Sequence, residues 1–221
     1  SLERMANNGA NQRQNVFESG PDWKVLLIGG ASGSGKSYLA HQLGRKLGIP
    51  WIQVDDLRLA LQFGGLVDPE VHSGLFSFLK RRDPHDASLE ELVARHATIA
   101  RMMAPAIEIV IDHHVTTNSP IIIEGDGIAP ELLVRRSGSK VRGFYLEPSD
   151  GAELAQNLAE RERGSHARNP NHEMHEEVEQ VWMRLAWAHQ QWLSQEARRL
   201  GVPLLSTSPR VTLVERALEI T

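Results

Sequence analysis

Residues 25–37 read VLLIGGASGSGKS, an apolar run followed by a glycine-rich turn. The uninterrupted run Val25–Ile28 predicts a strand that is buried on both faces of a parallel sheet. Residues 30–37 fit the spacing G-x-x-x-x-G-K-[ST]. Leucine and alanine then recur at helical spacing over residues 36–47, and Gly48 predicts the end of that helix. A strand, a glycine-rich loop and a helix in this order indicate a phosphate-binding loop.

The residue types of this loop suit a nucleoside triphosphate. Glycines allow successive backbone N–H groups to turn toward phosphate oxygens, and the amino end of the following helix adds positive potential. Lys36 is expected to neutralise the β- and γ-phosphates during catalysis, and the Ser37 hydroxyl to ligate Mg²⁺. The residues predicted to contact the nucleotide here are Gly30, Ala31, Ser32, Gly33, Ser34, Gly35, Lys36, Ser37 and Tyr38.

The rest of the chain alternates between strand and helix patterns, which predicts a three-layer α/β fold with a five-stranded parallel sheet and helices on both faces. Further strands are expected at Trp51–Val54, Pro120–Glu124, Val141–Leu146 and Val202–Leu205, and helices after Ser88, over 152–163 and over 173–200. Residues 1–20 are interpreted as a flexible tail and 21–221 as one domain. Within that domain, 64–118 is predicted to be a helical insertion on the substrate side, and 152–175 a lid whose helices are joined by a polar loop, 164–171.

Composition excludes several classes of function. The 221 residues are 41% hydrophobic and 24% charged, values typical of a soluble globular protein. No apolar run reaches the ~18 residues of a membrane-spanning helix, and the chain lacks cysteine, so disulfides and thiolate sites are excluded. A net charge of −4 argues against generic nucleic-acid binding. We expect a cytoplasmic protein with a small-molecule partner.

Carboxylates follow two of the predicted strands, at the sheet edge where open α/β folds bind ligands. Asp55 is the first choice to accept a proton from a substrate hydroxyl, and Asp56 is the second; either could instead cap the helix expected near Leu57. Arg58 lies one turn later and could hold an anionic substrate group, or simply be solvated.

A second carboxylate pair, Glu124 and Asp126, ends the third predicted strand. Both are predicted to face the substrate, and Glu124 is also a candidate to hold a Mg²⁺-bound water. Capping of the chain end is the alternative for both.

Three arginines mark the predicted lid. Arg161 and Arg168 are expected to follow the transferred phosphoryl group, and Arg163 to contact the nucleotide phosphates. Pairing with the interleaved glutamates on a solvated face is the alternative. After the last predicted strand, residues 207–210 (TSPR) could pack on the adenine.

Two classes of function fit a triphosphate site: a kinase for a small molecule, and a switch or motor that hydrolyses nucleotide. The chain has no Asn/Thr-Lys-x-Asp motif of the kind that reads guanine, and Ile123-Glu124-Gly125 does not match the Asp-Glu strand end of motors. These features, together with the arginine-rich segment, favour the kinase. A partner-regulated ATPase and a binding module without catalysis remain alternatives.

The phosphate loop, Asp55 with Arg58 three residues later, and Ile121–Gly125 followed by Pro130 together resemble the 2-phosphoglycerate kinase-like group of P-loop kinases. That group is related to nucleoside-monophosphate, shikimate, gluconate and chloramphenicol kinases. The resemblance implies ATP and Mg²⁺ as cofactors, Asp55 as the substrate-side carboxylate with Arg58 beside it, and an arginine-bearing lid. A sugar, a sugar acid or a similar hydroxyl-bearing metabolite is the expected acceptor; a nucleoside or an antibiotic is the alternative.

Overall fold

The computed structural model describes residues 21–76, 87–168 and 176–221. Five strands form one sheet: β1 (Val25–Gly29), β2 (Trp51–Gln53), β3 (Ile121–Gly125), β4 (Val141–Glu147) and β5 (Leu204–Ser206). All neighbours pair in parallel, in the order β2-β3-β1-β4-β5. The helices described are α1 (Lys36–Leu47), α2 (Val54–Phe63), α3 (Leu89–Thr116), α4 (Pro130–Arg136), α5 (Gly151–Arg168), α6 (Glu176–Leu200) and α7 (Leu213–Glu219). The predicted P-loop α/β fold is confirmed.

The central position of β1 in the sheet explains why its residues are apolar. Its four residues Val25–Ile28 are 0% exposed. Successive side chains of a strand point to opposite faces. Val25 and Leu27 therefore join a core built with α3, α4 and α6, whereas Leu26 and Ile28 join a core built with α1 and α7. Helix layers on both faces leave the carboxyl ends of the strands as the edge where loops can form a site.

The junction of β2 and α2 differs from the prediction. The strand was expected to reach Val54 and the helix to begin near Leu57, but α2 begins at Val54. The Val54 side chain is buried and occupies the space beside two glycines: a Cβ on Gly125 would lie 2.6 Å from it. Asp55 and Asp56 consequently lie in the first turn of a helix, where negative charge is favourable.

Helix α3 accounts for much of the predicted insertion 64–118. Ser88 and Glu91 form the reciprocal capping box at its start. Met103, Ile107 and Ile111 are fully buried in the sheet core. This part of the insertion is therefore a covering layer of the fold as well as a neighbour of the site. Residues 77–86 of the insertion lie outside the described residues.

Helix α5 is longer than the helix predicted for this segment. The helix was expected to stop at 163 and to give way to a polar loop, but α5 continues through Gly164 to Arg168. A single glycine costs a helix about 1 kcal/mol and does not break it when good helix formers flank it. The polar loop predicted over 164–171 is therefore wrong for residues 164–168, which are helical. Residues 169–175, the remainder of that lid, and the predicted tail 1–20 lie outside the described residues.

The carboxyl-terminal part contains one element that the sequence pattern did not predict, α7, which packs on α1 through Leu213 and Ala217. The fifth strand is displaced by two residues from its predicted start, to Leu204–Ser206. Among the described residues, no helix is both long enough and apolar enough to cross a lipid bilayer.

Candidate active site

The loop between β1 and α1 requires its glycines for two reasons. Gly30, Gly33 and Gly35 have positive φ angles of 143°, 81° and 92°, which side-chain-bearing residues rarely adopt. A Cβ would also lie 2.6 Å from the Ser34 hydroxyl at Gly30, and 2.9 Å from the Leu154 carbonyl oxygen at Gly33. Gly35 is the N-cap of α1 and provides no side-chain acceptor, so the first N–H groups of the helix remain suited to an anion.

Lys36 is held inside this loop. Its ammonium donates a hydrogen bond of 2.9 Å to the Ala31 carbonyl oxygen, and the residue is 8% exposed. The loop therefore wraps around the cation that would neutralise a bound phosphate. The same charge opposes the effect of burial on two carboxyls at the end of β3: it limits the rise in the pKa of Glu124 and contributes to the lowered pKa of Asp126.

Ser37 and Glu124 form the closest polar contact of the site. The Ser37 hydroxyl donates to a carboxylate oxygen of Glu124 at 2.6 Å, and Glu124 is 2% exposed. Burial raises the pKa of Glu124, while Lys36 and the hydroxyl of Ser37 partly offset that rise. The register of the sheet causes the contact, because Glu124 in β3 stands beside Ile28, directly before the loop.

This pair fits a magnesium ion held jointly with phosphate. A hydroxyl and a carboxylate are hard oxygen ligands, which Mg²⁺ prefers. Within the described part of the chain, no group of three or more His, Cys, Asp or Glu side chains could hold a metal. Mg²⁺ commonly uses only one or two protein ligands and completes its octahedron with waters and substrate phosphates. Ser37 and Glu124 are therefore the residues that would hold it here.

The two adjacent aspartates of α2 have different surroundings. Asp55 lines the cavity beside the phosphate loop, whereas Asp56 is exposed and does not line it. Arg58 donates from Nε and Nη2 to one oxygen of Asp55 at 3.2 and 3.1 Å, and from Nη1 to Gln62 at 2.9 Å. Arg58 thus holds Asp55 in place and is not itself among the residues that line the cavity.

Asp126 lines the cavity, and two histidines that the sequence did not single out lie near it. His96 on α3 stacks on His189 on α6 with ring centroids 4.6 Å apart. Burial raises the pKa of Asp126, but the charges of Lys36, His189, His96 and Arg58 together lower it by more, so the net shift is downward. The first turn of α2, α3, the end of β3 and α6 therefore contribute polar groups to one region.

Helix α5 covers the phosphate loop from above. The Asn157 amide donates to the Gly33 carbonyl oxygen at 2.8 Å, and Arg161 lines the cavity one turn later. Arg163 is exposed and does not line the cavity. The side chain of Arg168 lies outside the described residues. Of the two predicted lid arginines whose side chains the structure describes, Arg161 is therefore placed at the cavity and Arg163 is not.

The loop after β5 reaches the opposite side of the cavity. Arg210 lines it and lies over the ring of Tyr38, with its guanidinium carbon 4.4 Å from the ring centroid. Such a cation–π pair presents a flat surface. The predicted position of the 207–210 loop and of Tyr38 beside the nucleotide is compatible with this placement.

The cavity joins these elements and has a volume of about 480 Å³. Asn157, Glu160 and Gln53 line it but were not predicted, because isolated polar residues on a helix or strand carry no motif. Among the residues that the structure describes, the lining consists of Ser32, Gly33, Gly35, Lys36, Ser37, Tyr38, Gln53, Asp55, Glu124, Gly125, Asp126, Asn157, Glu160, Arg161 and Arg210.

Comparison with known proteins points to one group. The 2-phosphoglycerate kinase of Methanothermobacter thermautotrophicus is 26% identical over 205 residues, covering 88% of this chain and 64% of the relative. The chain is similar to 2-phosphoglycerate kinases. The enzyme of that name from Methanocaldococcus jannaschii is 31% identical over 113 residues, covering 49% of this chain and 36% of the relative. The predicted resemblance to 2-phosphoglycerate kinases is confirmed, and the chain spans less than two thirds of the length of these relatives.

Solved structures give a more distant likeness. A gluconokinase from Sinorhizobium meliloti is 16% identical with a TM-score of 0.44, covering 90% of this chain and 91% of its own. A shikimate kinase from Acinetobacter baumannii is 16% identical with a TM-score of 0.47, covering 93% and 94%. No protein-family model matches the chain.

Proposed function

We propose that the protein is a kinase that transfers the γ-phosphate of ATP to a hydroxyl group of a small metabolite. One observation carries the proposal: the phosphate loop, with Lys36 inside it and the Ser37–Glu124 pair beside it, opens into the same cavity as Asp55 and Asp126. A triphosphate in the loop would point its terminal phosphate toward those carboxylates. Phosphoryl transfer needs this positioning and charge neutralisation more than covalent assistance.

The proposed reaction assigns a role to each residue. The acceptor oxygen attacks the γ-phosphorus while the bond from that phosphorus to the β,γ-bridging oxygen breaks, so that ADP leaves. Asp55 accepts the proton of the attacking hydroxyl, and its bond to Arg58 keeps one oxygen fixed while it does so. Lys36 follows the negative charge on the β- and γ-phosphates. Bound Mg²⁺ would supply further charge neutralisation on those oxygens.

Helix α5 supplies the remaining cation. Arg161 lines the cavity and is proposed to contact the transferred phosphoryl group. A role for Arg163 requires a different arrangement of α5, because its side chain does not line the cavity. The role of Arg168, whose side chain lies outside the described residues, remains a prediction. Arg210 with Tyr38 is proposed to hold the adenine.

The relatives' name suggests the first acceptor to test. We propose 2-phosphoglycerate or a related hydroxy acid, which has a free hydroxyl and one or more negative charges. Among the described residues, the cavity lining carries three cationic side chains, Lys36, Arg161 and Arg210, and four carboxylates, so the name of the relatives, and not the charge of the cavity, supports this acceptor. Other sugar acids come next, and nucleosides or antibiotics after them. A kinase of such metabolites would work in the cytoplasm, where ATP is available.

The experiment is ADP release from Mg-ATP against a pool of hydroxyl-bearing metabolites, with Lys36→Ala as the blank. A kinase gives turnover that rises well above the acceptor-free rate for one or a few compounds. Steady hydrolysis that no compound changes would overturn the kinase and favour the partner-regulated ATPase. Tight ATP binding with no turnover toward any compound would favour a binding module.

A further inference from the structure

Gln190, on the inner face of α6, makes a set of contacts that the proposed reaction does not yet use. The residue is 1% exposed. Its carbonyl oxygen accepts a hydrogen bond of 2.9 Å from the backbone N–H of Ala31, 159 residues away in sequence. Its amide nitrogen donates to the Leu146 carbonyl oxygen in β4 at 2.9 Å and to the Ser194 hydroxyl at 3.1 Å. Both ends of a buried amide are therefore satisfied, as burial requires.

Ala31 is the residue on which the phosphate loop turns. It follows Gly30, whose φ is 143°, and its own carbonyl oxygen accepts the hydrogen bond from the Lys36 ammonium. Gln190 thus holds the N–H side of Ala31 while Lys36 holds the carbonyl side. An ordered Ala31 keeps the lysine and the following N–H groups directed inward without a bound anion.

We propose that Gln190 is a positioning residue, which presets the phosphate loop for nucleotide by anchoring Ala31 to α6 and β4. The inference rests on the proposed function, because it takes the loop to be a nucleotide site. Preorganisation of this kind increases affinity by removing the cost of ordering the loop at the moment of binding. Gln190 touches no reacting atom, so its removal should weaken nucleotide binding more than it changes the response to the acceptor.

Two variants separate this role from simple packing. Gln190→Met keeps the length and approximate volume of the side chain but removes all three hydrogen bonds. Ser194→Ala removes only one partner of the Gln190 amide nitrogen and leaves the bond to Ala31 intact. Gln191→Met is the matched control, because Gln191 is the next residue of the same helix and is exposed. Gln190→Asn serves if the methionine variant fails to fold, since its shorter amide cannot span the same three partners.

The test is a calorimetric titration of each folded variant with ATP in magnesium buffer, together with amide hydrogen exchange at Ala31 in the nucleotide-free protein. Gln190→Met should bind ATP about tenfold more weakly, because only one of the three lost hydrogen bonds is made to the phosphate loop, and it should lose protection at Ala31. Ser194→Ala and Gln191→Met should stay within about twofold of wild type on the same scale.

The outcomes distinguish this inference from the proposed function. If Gln190→Met is folded and retains both wild-type ATP affinity and Ala31 protection, the positioning role is wrong. If wild type binds ATP but phosphorylates no acceptor, the kinase proposal fails while the effect of Gln190 on ATP binding still stands. If wild type does not bind ATP at all, the proposed function fails and so does the inference that rests on it.

Discussion

Acidification should destabilise the folded protein through His189, the buried histidine of α6 that stacks on His96. His189 is 2% exposed, and among the described residues its Nε2 has no hydrogen-bond partner. The pKa of His189 is lowered to about 3, chiefly by burial; His96 and Lys36 also lower it, and Asp126 partly opposes them. The folded protein therefore keeps this imidazole neutral at pH values where the unfolded chain protonates it.

The sign and size of the effect follow from linkage. Because the pKa is lower in the folded state, the unfolded state binds the extra proton, and stability falls as the pH drops below the unfolded value of 6.5. A pH of 5 lies about 1.5 units below the pKa of the unfolded imidazole. Each unit corresponds to about 1.36 kcal/mol, so the free energy of unfolding falls by about 2 kcal/mol.

Urea unfolding at pH 7.5 and pH 5.0 measures the effect in wild type, in His189→Gln and in His41→Gln, a control at an exposed histidine. His189→Gln loses packing at both pH values, so the quantity compared is the change in unfolding free energy between them. Other titrating groups contribute to that change in all three proteins. Wild type and the His41 variant should lose about 2 kcal/mol more than His189→Gln. An equal loss in all three would refute the reasoning.

Three further substitutions test the site. Asp55→Asn should lower kcat for acceptor phosphorylation about 100-fold, whereas Asp56→Asn, at an exposed position outside the cavity, should stay within about threefold; equal losses in a kcat measurement would remove Asp55 as the base. Glu124→Gln should raise the magnesium concentration needed for half-maximal ADP release about tenfold or more, because the buried carboxylate beside Ser37 is lost; an unchanged magnesium titration would count against a role in holding the ion. Gly33→Ala should abolish measurable ATP binding in calorimetry, since its φ is 81° and its Cβ would lie 2.9 Å from the Leu154 carbonyl oxygen. Gly138→Ala, with no atom within 4 Å of the new Cβ, is the matched control and should bind like wild type.

Local signals account for the parts of the fold that were predicted well. The helix over 36–47 matches α1, because glycine at both ends marks its limits and its apolar residues share one face. The capping box at Ser88 likewise predicted the start of α3. Residues 25–37 were decisive for the same reason: each of their requirements, an apolar strand, positive φ and a following helix, is local.

The errors arose where distant packing decides local structure. Val54 begins a helix because Gly125 and Gly127, far along the chain, leave room for its side chain. Helix α5 is an exception with a local cause, since a single glycine among good helix formers did not end the helix at Gly164. The contacts of Asn157 and Gln190 with the phosphate loop span 124 and 159 residues, and no spacing rule in a single sequence predicts such pairs. The sequence therefore predicted the phosphate loop and the carboxylates near it, and the structure added Gln53, Asn157 and Glu160 to the cavity lining.

Phosphorus NMR of the protein with Mg-ATP and 2-phosphoglycerate tests the central claim most directly, because it shows where the γ-phosphate goes. The account predicts a new phosphomonoester resonance that grows in equal amount with ADP and is absent with Lys36→Ala. If 2-phosphoglycerate gives no product, the same spectrum recorded with the metabolites that stimulate ADP release decides the class. Formation of ADP and inorganic phosphate alone, with every acceptor unchanged, would contradict the assignment as a kinase.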